Sequence, residues 1–425
     1  HARASTLDRR SLLRKGSSGV LLWLASQHAG SGGVDDRTLP HALWPADHGH
    51  LARPDGLATE ERTLAQALKE AGYRTAMAGK WHLGHADQTY WPQSRGFDHF
   101  YGNLVGEVDH FTKQLGGLID WQRNGQVLKE PGYSTTLIGD EAVRIIEADP
   151  SSKPLFLFVA FLAPHAPYQA PANYVDRYKS IADEKRRTYA AMITALDDQV
   201  GRIVAALDKK GMRDNTVIVF ASTNGAAKSP ASNGNFRDGK GSLYEGGVRV
   251  PAIINWPAKL KPGVSNEALH MVDLMPTLLA LAGGRGNRDR PFDGMDIWQT
   301  LAAGAPSPHE DLLINVESFR GAVRQGDWKL VKVYSMPGTV ELFDLATDPG
   351  ENNNVASQHW DLVHTLEARL GRHARDMEPS RWIKAQPALV DAQGRTMFDP
   401  GFVISDGGLP GEKPMLQGVG SRALR

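Results

Sequence analysis

The sequence predicts an α/β protein: a large, mainly parallel mixed sheet flanked by helices, followed by a small C-terminal antiparallel sheet with a helix. Three observations predict it. Two continuous apolar runs, PLFLFVAFLAP (154–164) and TVIVFAS (216–222), read as strands buried on both faces of a parallel sheet. Helical patterns alternate with the strands, as in a parallel α/β sheet. After about Pro308 the pattern becomes short alternating strands, which predicts antiparallel pairing.

Taken in order, EERTLAQALKEAGYRTAMAGK (60–80) gives a helix with Leu64, Ala67 and Leu68 on one face, a stop at Gly72, and then a short strand. The 154–164 strand follows. RRTYAAMITALDDQVGRIVAALDKKG is a long amphipathic helix stopped by Gly211. The 216–222 strand comes next, and then HMVDLMPTLLALAGG, a helix with Pro276 near its first turn. GAVRQGDWKLVKV and VELFDLATD supply the antiparallel strands, and HWDLVHTLEARLGRHA closes them as a helix. The resulting division is 1–36, an atypical N-terminal segment; 37–307, the α/β domain; 308–384, an α+β subdomain; and 385–425, a Gly/Pro-rich tail.

Lys and Arg together number 48, as do Asp and Glu. That balance gives no bulk attraction to nucleic acid or to a membrane surface, so neither is expected as a partner. The chain has no cysteine, which excludes disulfides, thiolate metal sites and a cysteine nucleophile. In LDRRSLLRKGSSGVLLWLAS, Arg9 and Arg10 precede a short apolar run, Val20 to Ala25. This reads either as a twin-arginine export signal, with a secreted or periplasmic protein behind it, or as a buried strand after a basic turn. The run is too short to span a membrane.

In open α/β sheets, sites lie beyond the carboxyl ends of the strands. Three segments put polar residues there. AGKWHLGHAD (78–87) carries Lys80 and His82, whose spacing of two predicts a shared face in an extended chain. APHAPYQAP places His165 after the 154–164 strand. STNGAAKSPASNGNFRDGKGSLYEGG places Thr223 and Asn224 after the 216–222 strand, with Lys240 further along a glycine-rich loop. Two lysines and two histidines at one sheet edge predict an anion pocket.

These segments resemble the sulfatase family of the alkaline-phosphatase-like superfamily. TLAQALKEAGYRTAMAGKWHLGH followed by RGFDHFYG, PLFLFVAFLAPHAPYQAP, YAAMITALDDQVGRIVAAL, GKGSLYEGGVRVPAIINWP, HMVDLMPTLLALAG, GAVRQGDWKLV and ELFDLATDPGENNN are similar to family blocks, in family order, over roughly residues 56–370. HALWPADHG and PSPHEDLLINVE are similar to the N-acetylgalactosamine-4-sulfatase (arylsulfatase B) branch. The resemblance implies an alkaline-phosphatase-like fold and hydrolysis of a sulfuric ester on an aryl group or a glycosaminoglycan-type sugar. It also implies export and a calcium ion that polarises the sulfate. Carried onto this chain, Lys80 and Lys240 would bind sulfate oxygens, and His165 would sit with Lys240 near the leaving oxygen. His82 would orient the nucleophile, and Asn224 would be a metal ligand.

The chain departs from the family pattern in three places. The family nucleophile is a formylglycine made from Cys or Ser in Cys/Ser-x-Pro-x-Arg; no such pentapeptide exists here, although HARASTLDRR, with Arg3, could be the remnant of the block that follows it. The Asp-Asp metal pair is absent from its place after the first strand, and Asp35 and Asp36 read as surface or N-cap residues. Thr223 stands where the family has an Asp before Asn-Gly, which weakens any calcium site. The sequence therefore leaves three readings open: a sulfuric ester hydrolase, an inactive relative that binds sulfated sugars, and a phosphatase or phosphonate hydrolase of the same superfamily using Thr6 or Ser26.

Overall fold

A computed structural model describes residues 56–150, 152–286, 291–316, 319–335 and 337–377, together with the main chain of residues 20–26. The large sheet has eight strands. They are β1 (Val20–Ser26), β2 (Arg74–Lys80), β3 (His99–Asn103), β6 (Gln122–Arg123), β7 (Gln126–Val127), β8 (Leu155–Phe161), β9 (Thr216–Ser222) and β10 (Ala252–Asn255), with the hairpin β4 (Gln114–Leu115) and β5 (Leu118–Ile119) outside it. Their order is β10-β9-β1-β8-β2-β3-β6-β7. The five central strands from β9 to β3 pair in parallel, and the edges β10, β6 and β7 are antiparallel. This is the predicted mixed, mainly parallel sheet.

The apolar run offered as the core of an export signal is β1. It lies between β8 and β9, with Val20 opposite both Leu155 and Thr216, and Ser26 opposite both Phe161 and Ser222. The strand reading is the one that holds for Val20 to Ala25, and a boundary at residue 36 would cut a central strand away from its sheet. The physical reason is that a seven-residue apolar run satisfies a doubly buried strand as well as it does a signal core. Arg9, Arg10, the HARASTLDRR block with Arg3 and Thr6, Asp35, Asp36 and the tail from residue 385 lie outside the described residues.

Helices cover both faces. Ser134–Glu147 and Glu184–Lys209 bury Ile138, Ile146, Met192, Leu196 and Leu207 against Leu157, Val159 and Phe161 of β8. On the other face, Leu64–Glu70 and Leu274–Leu281 bury Leu64, Leu68, Leu278 and Leu279 against Met77, Phe156 and Val219. The first of these starts with a capping box: Thr63 Oγ1 accepts from Gln66 N, and Gln66 Oε1 accepts from Thr63 N.

The second sheet runs β11 (Leu312–Val316), β12 (Arg320–Gln325), β13 (Trp328–Val333), β14 (Thr339–Asp344), all antiparallel. One face packs on the Trp360–Asp376 helix through Val323, Leu330, Leu342, Leu366 and Leu370. The other packs Ala322, Val331 and Phe343 on Leu243 and Tyr244, just beyond Lys240. No helix among the described residues is long and apolar enough to cross a membrane.

Candidate active site

The parallel registers bring the carboxyl ends of β9, β1, β8, β2 and β3 to one edge of the sheet. Lys80 is the last residue of β2 and pairs with Asn103, the last of β3. The glycine before it is required by packing: a Cβ on Gly79 would lie 1.9 Å from the Ala160 carbonyl oxygen of β8, and the residue has φ +119°. Lys80 is only 2% exposed. Loss of water and the neighbouring Lys240 ammonium push its pKa down to about 7, against the opposing pull of Glu107.

His82 does not share a face with Lys80 through strand alternation, because β2 has ended and His82 has φ +63°. The turned main chain is held by a bond from His82 N–H to the Leu104 carbonyl, 2.9 Å. The ring lies against Gly106, where a Cβ would come within 2.6 Å of its Cε1 and Nε2. Gly106 precedes Glu107, so the loop after β3 brings the His82 ring close in sequence to the carboxylate that acts electrostatically on Lys80.

His165 lies beyond the end of β8. Its Nδ1 donates to the Ala166 carbonyl at 2.6 Å and stands 3.5 Å from Glu107 Oε2. A carbonyl can only accept, so the proton is on Nδ1 and Nε2 carries the lone pair. Burial and the Lys80 ammonium hold the imidazole down at about 3, with Lys240 adding to the effect. The imidazole is therefore neutral at ordinary pH. Behind it, His110 Nε2 donates to the His165 carbonyl (3.2 Å), and Ser134 Oγ bonds to His110 Nδ1 (2.8 Å). Burial keeps His110 at about 4. Gln169 then joins His110 N–H (2.9 Å) to Asp109 Oδ2 (2.7 Å).

Lys240 stands in the loop after β9. Its N–H donates to the Ala226 carbonyl at 3.0 Å, and Asn233 clasps the same turn, accepting from Ala226 N (2.8 Å) and donating to Ala226 O (2.9 Å). Desolvation lowers the Lys240 pKa too, again with Glu107 pulling the other way. Lys80, Lys240 and His165 thus share one electrostatic neighbourhood, with Glu107 as their counter-charge. Sequence reasoning missed Glu107. The signal was a fourth strand end, β3, whose following loop LVGEVDH was not read as part of the edge.

Asn224 lies at the end of β9, its Nδ2 3.3 Å from Thr223 Oγ1, with Ser222 Oγ donating to its carbonyl (2.9 Å). Calcium takes six to eight oxygens, with carboxylates supplying the affinity. The donors described at this strand end are hydroxyls and an amide. Among the described residues no group of three or more His, Cys, Asp or Glu is arranged to hold a metal ion. This set does not fit calcium.

Known proteins agree with the fold. The family model described as Sulfatase matches residues 21–284, which takes in all but the first residue of β1. Arylsulfatase J of Mus musculus is 37% identical over 392 residues, covering 79% of this chain and 66% of that protein. N-acetylgalactosamine-6-sulfatase of Homo sapiens is 33% identical over 354 residues, covering 78% and 66%. The chain spans just under two thirds of the length of these curated relatives. A crystal structure of Ps i-CgsB in complex with k-i-k-neocarrahexaose superposes with a TM-score of 0.77 at 27% identity, covering 85% of this chain and 94% of that one. The phosphonate monoester hydrolase of Agrobacterium radiobacter, at 18% identity and a TM-score of 0.58, shares the fold.

Proposed function

This chain belongs to the sulfatase family, and on that premise we propose that it is a sulfuric ester hydrolase of the arylsulfatase type, acting on an aryl or sugar sulfate. The observation that carries the reading is the Lys80–Lys240–His165 neighbourhood: two lysines whose pKa is lowered despite Glu107, beside a neutral imidazole. A sulfate ester supplies what they lack. Lys80 and Lys240 donate to its oxygens, and these bonds strengthen as charge builds on the oxygens in the transition state. His165 Nε2 faces that charge as an acceptor. It becomes a proton donor to the leaving oxygen only after taking up a proton, which the bound anion favours. His82 is proposed to orient the attacking group from beside Gly106. Asn224 keeps its proposed place at the strand end, and no step is routed through calcium. No residue of the chain is assigned the covalent step, because it has neither a cysteine nor the Cys/Ser-x-Pro-x-Arg signature.

A glycosaminoglycan-type sugar is the proposed substrate class, supported by the relatives' names and by the oligosaccharide held in the Ps i-CgsB structure. Export is proposed on family resemblance alone, since the apolar run is used as β1. The hydroxyl and amide donors at Thr223 and Asn224 favour a second reading, a relative that binds sulfated sugars without turning them over. Aryl sulfate turnover and inorganic sulfate binding, each compared with Lys80→Ala, test both. Turnover that depends on Lys80 supports the hydrolase. Lys80-dependent binding without turnover supports the binder, and Lys80-independent behaviour overturns both.

A further inference from the structure

We propose that Lys329 and Glu351, both contributed by the C-terminal subdomain, are positioning residues that set the Lys240 loop against the anion pocket. The inference rests on the reading that Lys240 binds the ester's sulfate group.

Lys329, the second residue of β13, is 0% exposed, as is Glu351, while Glu245 is 3% exposed. Lys329 Nζ stands 2.8 Å from Glu245 Oε1 and 2.9 Å from Glu351 Oε1. Glu245 opens the short turn five residues after Lys240, and its N–H donates to Glu351 Oε2 at 2.6 Å. One buried ammonium therefore joins β13 to the end of the Lys240 loop by two carboxylates, one of which also grips the loop's main chain.

Three more contacts join the loop to the same subdomain. Arg320 of β12 donates to the carbonyl of Gly241, the residue after Lys240, at 2.8 Å. Arg237, before Lys240, donates to the Glu351 carbonyl (3.0 Å) and pairs with Glu341 of β14 (3.2 Å). The loop is thus held at residues 237, 241 and 245, on both sides of Lys240. The arrangement is costly. Glu351 has φ +54°, a left-handed backbone that is unfavourable for a non-glycine residue, and desolvating three charged groups costs more than an apolar triad of the same volume. A fold needing only adhesion has Ala322, Val331 and Phe343 on Leu243 for that. What the ionic triad adds is direction, because charge-assisted hydrogen bonds fix geometry as apolar contact does not.

The test is a double-mutant cycle on the full chain, read by calorimetric titration with inorganic sulfate. Lys240→Ala is expected to weaken binding about tenfold, the order of one charge-assisted contact. Lys329→Met, in a protein shown by its melting curve to be folded, is expected to weaken it by a similar factor, with Lys329→Arg recovering part of the loss. In the Lys240→Ala background, Lys329→Met should then change affinity by less than about twofold, since there is no ammonium left to place. An equal loss in both backgrounds overturns the positioning role, and so does unchanged sulfate affinity beside a lowered melting temperature. If Lys240→Ala alone leaves affinity unchanged, the anion reading falls and this inference falls with it. If Lys329→Met does not fold, Arg320→Ala, which removes the bond to the Gly241 carbonyl, decides the question on the same cycle.

Discussion

Among the described residues, two lysines are buried at strand positions, and they are satisfied in opposite ways. Lys329 has two carboxylates within 2.9 Å. Lys80 has a second ammonium as its strongest charged neighbour, with Glu107 too weak to offset the loss of water, so its pKa falls to about 7. Burial is therefore not what marks a functional charge. A buried cation closed by its own acids is part of the structure, whereas one left short of counter-charge marks where an anion belongs.

The contrast predicts opposite stability effects, the largest expected here. Lys329→Met leaves Glu351 buried without its ammonium and Glu245 with only Arg249, 3.6 Å away, and should cost about 3–5 kcal/mol in denaturant unfolding. Lys80→Met removes a charge that the fold desolvates with only Glu107 as a weak offset, and should leave stability unchanged or raise it by about 1 kcal/mol. Equal losses from the two substitutions would break the comparison.

The distinction between the two sites was only partly legible in the sequence. The unbroken run of β8 and the amphipathic Glu184–Lys209 helix declared themselves, because doubly buried strands and one-sided helices leave periodic traces. Lys80, His165 and Lys240 were legible as polar residues after strands. Glu107 was not, since a single acid in a loop has no periodic signature. Lys329 left a trace that was available: in WKLVKV it alternates with Val331, which places it on the face that packs against Leu243. Its two acids come from residues 245 and 351 and could be joined to it only by the fold. The Lys80–His82 spacing predicted alternation that the structure does not have, because a left-handed residue and a glycine place His82.

A pH series sharpens the comparison at the next scale. A bound anion raises the pKa of Lys80, so sulfate binding takes up a proton wherever the free protein has lost it. Affinity for inorganic sulfate should be full below about pH 7 and fall above it by up to about tenfold per pH unit. The anion-free protein should show the reverse through Lys80. Its folded pKa lies below the ordinary lysine value, so between about 7 and 10.5 the unfolded chain holds more protons, and stability contributed by this group rises with pH. Lys80→Met should remove both slopes, while Lys329→Arg should leave both in place. A flat affinity profile from pH 6 to pH 9 would mean that Lys80 is not the group that meets the anion.

The smallest expected effect concerns calcium, and its size is the point. If Lys80 and Lys240 supply the positive charge that holds the sulfate, a divalent ion has no work left to do, and the hydroxyls and amide of Ser222, Thr223 and Asn224 give it little to bind. Sulfate affinity measured with millimolar calcium and then with a chelator should agree within about twofold. Thr223→Asp restores one carboxylate at the strand end. Because calcium affinity follows ligand charge, that single substitution should make sulfate binding calcium-dependent if the rest of the coordination shell is within reach. A strong calcium effect in the unsubstituted chain would instead place carboxylates at this edge from outside the described residues, with Asp35 and Asp36 the first to replace. The pocket would then be charge-balanced like the Lys329 triad, and the two sites would differ in their ligand alone.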